Sequence, residues 1–186
     1  EDNNNCKHIL DIFRLLHLTY FLMLSSNIFH CDWHYGNFLV NINQKDQVEL
    51  FILDVGLMGR LENKEHHAKL KILLKTNLLK PDPINIIKFL AFINLEKNAN
   101  LKEFINISKN DVFHLKTNLD NESYKNILVK LIKNASNNNL KLPIVIFYMF
   151  QGIIFLNNHD QFIYNDIVQF SKNNGFYSQI QKYLSE

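Results

Sequence analysis

Between residues 28 and 61 the chain sets two polar segments around two short apolar runs, and that order sharply limits how it can fold. The first polar segment is His30-Cys31-Asp32-Trp33-His34-Tyr35-Gly36-Asn37. The runs Phe38-Leu39-Val40-Asn41-Ile42 and Leu50-Phe51-Ile52-Leu53 follow, separated by Asn43-Gln44-Lys45-Asp46-Gln47, and Asp54-Val55-Gly56 comes next. Two runs of strand length joined by a polar stretch predict a β-hairpin. A hairpin returns the chain to its starting point, so Asn37 at its entry and Asp54 at its exit can share one site.

Glycine placement points to the same region. Only five glycines occur in the chain, and Gly36, Gly56 and Gly59 fall in this segment. Glycine is most needed where backbone bends sharply or approaches a ligand closely.

The residue types suit one chemistry in particular. Phosphoryl transfer from ATP needs a carboxylate to orient or deprotonate the acceptor, and oxygen ligands that hold Mg²⁺ against the phosphates. Asp32 is the candidate catalytic carboxylate, aimed at an acceptor hydroxyl or an attacking water. Asn37, five positions later, and Asp54 are the candidate Mg²⁺ ligands. His30, His34, Gly36 and Gly56 complete the expected cofactor-binding set. Each also has a plainer reading: Asp32 as a loop cap, Asn37 as a turn residue, Asp54 as a strand-end carboxylate. His30 and His34 could brace the backbone around Asp32, or bind zinc with it, although no third His or Cys lies at a convincing spacing.

The remainder reads as helical. Apolar residues at three- and four-residue intervals predict a helix from about 7 to about 25, ahead of the motif. Further helices are predicted over 67–79, 82–95, 121–134, 143–157 and 164–173, with Pro83 just inside the start of its helix, where a missing N–H costs nothing. The asparagine runs 3–5 and 137–139 read as solvated turns. His66, His67 and the lysines Lys69, Lys71, Lys75 and Lys80 read as a solvated helix face that could contact phosphate.

Composition bounds the rest. At 186 residues, 47% hydrophobic and 20% charged, the chain is long and apolar enough for one globular domain with a real core. A formal net charge of +2 gives no global field for nucleic acid or an anionic membrane. Two cysteines, Cys6 and Cys31, suit free thiols in a reducing, intracellular compartment. The longest apolar run, residues 143–156, is interrupted by Gln151 and falls short of the roughly 20 residues that span a bilayer, so no transmembrane helix is expected. The chain opens Glu1-Asp2 without a signal-peptide pattern and is expected to be a piece of a longer polypeptide.

The two motifs resemble those of the atypical kinase family called ABC1, ADCK or UbiB. Its catalytic loop runs His-Ala-Asp-Pro-His-Pro-Gly-Asn and its metal motif Asp-Phe-Gly-x-x-Gly-Arg-Leu. The second is matched here by Asp54-Val55-Gly56-Leu57-Met58-Gly59-Arg60-Leu61. The resemblance implies a mainly α fold with a small β-hairpin, the C-terminal lobe of a protein kinase. Residues 1–62 would hold the helix, catalytic loop, hairpin and metal motif, and 63–186 a helical subdomain.

It also implies an ATP- and Mg²⁺-dependent kinase or ATPase, tied in characterised members to ubiquinone or isoprenoid lipid metabolism in mitochondria, plastids or bacteria. A lipid-related substrate is the partner that follows. Cys31, Trp33, Tyr35 and Val55 depart from the family's Ala, Pro, Pro and Phe, and losing two prolines leaves the loop less restricted in φ. No Lys-x-Gly-Gln stretch or glycine-rich nucleotide loop is present, so the N-terminal lobe is expected upstream in the same polypeptide. Two alternatives stand beside this reading: a pseudokinase lobe acting as a binding module, and a phosphotransferase of the aminoglycoside or choline type.

Overall fold

The computed structural model describes residues 2–77, 82–115 and 121–157. The helix expected over 164–173 lies outside the described residues, as does Lys80. Among the described residues the protein is mainly helical with a small hairpin, as expected, and contains six α-helices and two small antiparallel sheets, one helix and one sheet of which the sequence did not announce.

Helix α1 (Asp2–Ser25) buries Leu16, Tyr20 and Leu24, spaced four apart on one face. It begins five residues earlier than expected and absorbs Asn3 to Asn5, because Asn costs a helix no more than about 0.7 kcal/mol per residue. Its end is sharp. Asn27 turns left-handed (φ 59°), and the Ile28 N–H bonds the Met23 carbonyl at 2.8 Å, closing the last turn. Within α1 the 18-residue stretch His8–Ser25 is long and apolar enough, by length and composition alone, to cross a membrane, a test that a core helix of a globular protein also passes. That stretch also contains the Asp11–Arg14 ion pair (2.8 Å) and the packed face just described.

The hairpin forms as predicted, from β2 (Phe38–Ile42) and β3 (Val48–Ile52), with Leu39 opposite Phe51 and Asn41 opposite Glu49. Asn43 builds its turn: the side-chain oxygen accepts the N–H groups of Lys45 (2.9 Å) and Gln47 (3.1 Å), and Asp46 takes a positive φ of 61°. Asn41 and Asn43 donate to the Glu49 carboxylate, and these two bonds hold it below the usual carboxylate range.

A second pairing was not legible in the sequence. β1 (Phe29–His30) pairs antiparallel with β4 (Met58–Gly59), Phe29 opposite Gly59. Two-residue strands carry no readable alternation, yet this pairing joins the start of the first motif to the end of the second.

The chain divides into two compact units. One runs to Arg60 and resumes at Gln151; the other is Leu61–Phe150. In the first unit, the Tyr20 ring occupies the space that a Cβ at Gly152 would need. Only glycine fits there.

The second unit contains α2 (Lys64–Asn77), α3 (Pro83–Phe92), α4 (Leu101–Leu115), α5 (Asn121–Asn137) and the first half of α6 (Ile144–Asn157). Asn63 caps α2 through the Glu65 N–H (2.8 Å), which starts that helix earlier than the apolar pattern suggests. Asp82 caps α3 through the Ile84 N–H (3.1 Å), with Pro83 in the first turn as predicted. That helix stops at Phe92 and not near Leu95, because Asn94 folds back onto the Glu96 carbonyl (2.6 Å) and accepts the Lys141 N–H (2.8 Å). Asn139 ends α5 in the left-handed region (φ 58°), so the second asparagine run does form a turn, although Asn138 is buried.

Helix α4 was not anticipated. Its inward face is Phe104, Ser108 and Val112, and the buried serine breaks the apolar stripe by which a helix is recognised. Ser108 accepts from Asn134 on α5 (3.3 Å), and Asn134 also donates to Asp111 (2.9 Å).

Candidate active site

The site is assembled from the loop between β1 and β2 and the segment between β3 and β4. Asn37, the last residue of a single 3₁₀ turn (Tyr35–Asn37), is buried, and its amide donates to the Asp32 carbonyl (2.8 Å) and to Asp32 Oδ2 (3.3 Å). Of the sequence-predicted residues, Asp32, His30, His34, Gly36 and Asn37 form one hydrogen-bonded group.

The two histidines take the same tautomer, which can be deduced from their partners. A backbone N–H can only donate, so a ring nitrogen facing one must accept. The Asp32 N–H points at His30 Nδ1 (3.3 Å), which leaves His30 Nε2 to donate to the Leu53 carbonyl (3.3 Å). The Gly36 N–H points at His34 Nδ1 (3.0 Å), which leaves His34 Nε2 to donate to Asp32 Oδ2 (3.3 Å). His30 is buried and spans the two motifs; His34 is exposed and reaches only within its own loop.

Leu53 links the first motif to Asp54. Its carbonyl accepts from His30, and its N–H donates to the Asn37 carbonyl (2.8 Å). The residue before Asp54 is thereby tied to both ends of the His30–Asn37 segment. Asp54 itself adopts φ 47°, a left-handed conformation that costs most L-residues roughly 1–2 kcal/mol and is best tolerated by Asp and Asn. Its Oδ1 accepts the Gly56 N–H (3.3 Å), and a Cβ at Gly56 would sit 3.1 Å from that oxygen.

Asn37 and Asp54 each carry a hard oxygen, the donor type that a divalent cation such as Mg²⁺ takes. The Asn37 amide nitrogen is committed to Asp32, which leaves its oxygen as a ligand, and Asp54 Oδ2 is the carboxylate oxygen turned away from Gly56. Mg²⁺ commonly takes one or two protein oxygens and fills its octahedron with water and phosphate. Among the described residues no three His, Cys, Asp or Glu side chains converge as a metal-ligand group. Burial pushes the Cys31 thiol up, and its S–H donates to the Phe29 carbonyl (3.5 Å), both of which disfavour the thiolate.

Two aromatic residues stand where the resembling family has proline. Trp33 is buried, with ring centroids 4.9 Å from Tyr20, 5.5 Å from His30 and 4.6 Å from Phe38. Tyr35 packs edge-on against Phe155 at 4.5 Å. Packing therefore supplies restraint that a fixed proline φ would otherwise give.

Sequence reasoning missed Leu53, which acts through its backbone, and the anchoring role of Trp33. The only available signal for the second was a lone tryptophan at the centre of a polar loop. No curated protein and no solved structure matches the chain. Residues 3–90 match the family model of the ABC1 atypical kinase-like domain, the family that the two motifs resemble, and this stretch includes every residue of the site.

Proposed function

We propose that this segment is the Mg²⁺–ATP part of a kinase-like C-terminal lobe, catalysing phosphotransfer or ATP hydrolysis with Asp32 as the catalytic carboxylate. The observation that carries the reading is the shared hydrogen-bonded frame: Asp32, Asn37 and Leu53, the residue before Asp54, are tied together by His30, the Asn37 amide and the Asn37 carbonyl. Catalysis of this kind is chiefly positioning and electrostatics, so a rigid polar frame is the expected machinery.

In this reading Asn37 and Asp54 hold Mg²⁺, which when bound neutralises charge on the phosphates. Asp32 orients the acceptor hydroxyl or water and takes its proton as the phosphoryl group transfers. Gly36 lets the backbone approach the His34 ring, and Gly56 keeps it close to the Asp54 carboxylate. The family resemblance extends the proposal to an acceptor in ubiquinone or isoprenoid lipid metabolism, and to an N-terminal lobe that completes the nucleotide pocket.

The test is Mg²⁺-dependent ATP turnover by the full-length protein against Asp32→Asn. Turnover is expected to fall about 10²- to 10⁴-fold with ATP affinity retained. Equal turnover in both proteins would remove Asp32 from the chemistry, and nucleotide-free behaviour of the wild type would favour a binding module.

A further inference from the structure

We infer that His34 is the positioning residue of Asp32, holding one carboxylate oxygen still so that the other, Oδ1, is the atom presented to the acceptor. The inference rests on the phosphotransfer reading above for its chemistry, but on hydrogen bonds alone for its geometry.

Three observations converge on it. His34 caps the 3₁₀ turn through Nδ1, which accepts the Gly36 N–H at 3.0 Å, and that bond fixes the proton on Nε2. The Nε2–H then meets Asp32 Oδ2 at 3.3 Å, the same oxygen that the Asn37 amide reaches at 3.3 Å. Two donors therefore grip Oδ2, while Oδ1 has no protein partner among the described residues. Finally, a Cβ at position 36 would lie 2.9 Å from His34 Cε1 and 3.1 Å from Nδ1, so glycine is what allows the backbone to approach the ring.

The side chains of His34 and Asp32 are 51% and 45% exposed, so an acceptor can reach Oδ1 without displacing the histidine. An aspartate carboxylate turns about its single methylene unless something stops it. Holding one oxygen from two directions restricts that rotation, and misplacement of a reacting group by about 1 Å can cost about 10²-fold in rate. His34 thus acts through Asp32 and does not itself touch the nucleotide.

Two substitutions separate the two ends of the ring. Asn places an oxygen near the position of Nδ1, keeping the cap and losing the donor to Asp32; Gln places an N–H near the position of Nε2, keeping that donor and losing the cap. Turnover of Mg²⁺–ATP by the full-length protein should fall about 10²-fold in His34→Asn and by less than about 10-fold in His34→Gln, with KM for ATP unchanged in both. A larger loss in His34→Gln than in His34→Asn would overturn the inference and leave only the cap, and a raised KM in both would make His34 a nucleotide contact.

Ring nitrogen NMR of the unliganded protein gives a readout independent of activity. His34 should show the Nε2–H tautomer in wild type and lose that preference in Gly36→Ala. An Nδ1–H tautomer contradicts the inference whatever the turnover. A wild type that turns over no ATP yet shows Nε2–H overturns the phosphotransfer reading and leaves the positioning geometry in place.

Discussion

In the helical unit Leu61–Phe150, residues such as Leu70, Leu90, Phe104, Ile127 and Leu131 are fully buried, whereas in the motif segment Leu39, Ile42, Phe51, Leu53 and Val55 face solvent. The two regions are ordered by different forces. Burial of apolar side chains holds the helices together. Around Asp32 order comes from bonds to backbone groups, through His30, His34 and Asn37, with Trp33 as the main buried anchor. A loop held by polar ties can present carboxylates to solvent, which a loop held by burial could not do.

The sharpest way to break this contrast is a core truncation in the helical unit. Phe104→Ala should cost about 3–5 kcal/mol in urea unfolding. A loss under about 1 kcal/mol would mean that burial does not dominate there.

Asn134→Ala comes next. It removes the donor shared by buried Ser108 and by Asp111, and should cost about 1–3 kcal/mol, the penalty for stranding buried polar groups. Apolar replacement of Asn134 and Ser108 together should recover part of that loss, a coupling that a double-mutant cycle measures.

A smaller effect depends on pH. Burial pushes His66 below its ordinary value of 6.5, opposed by Glu65, while its ring packs against Phe92 at 5.8 Å. The unfolded chain then takes up the proton more readily than the folded one. Stability is therefore complete above 6.5 and is lost as pH falls through 6.5 toward the lower folded value. His66→Gln should flatten part of the slope of urea midpoint against pH between 7.5 and 5; an unchanged slope would assign it to other groups.

The smallest effect sharpens the comparison from the other side. Leu39→Ser and Phe51→Ser, facing each other across the hairpin and both about half exposed, should change stability by no more than about 0.5 kcal/mol. A cost above about 1 kcal/mol in thermal unfolding would show that this face is not free.

How much of this was legible depends on where the information sits. The hairpin, Pro83 at the start of its helix, and the spacing of Asp32, Asn37 and Asp54 are written in residue types at fixed intervals, and the structure contains the hairpin and the helix start at Pro83 as read. The β1–β4 pairing was hidden because two residues carry no period. Helix α4 was hidden because Ser108 occupies an apolar position, and the early start of α1 because three asparagines read as a turn. The histidine tautomers and the ties at Leu53 were hidden for a different reason: they run through backbone N–H and C=O groups, which every residue has and no sequence pattern marks. Sequence thus named the candidate side chains, while what holds them had to come from geometry.

In the proposed function Asp54 and Asn37 serve a cation and not merely the turn. Asp54→Asn is the cleanest probe, because Asn tolerates the same left-handed backbone and can still accept the Gly56 N–H, so the fold is kept while the charge is lost. The measurement is Mg²⁺-dependent ATP binding to the full-length protein by calorimetry. Wild type should bind ATP more tightly with Mg²⁺ than without, and Asp54→Asn should lose that Mg²⁺ dependence at an unchanged melting temperature. Equal Mg²⁺-dependent affinity in the two proteins would contradict the account.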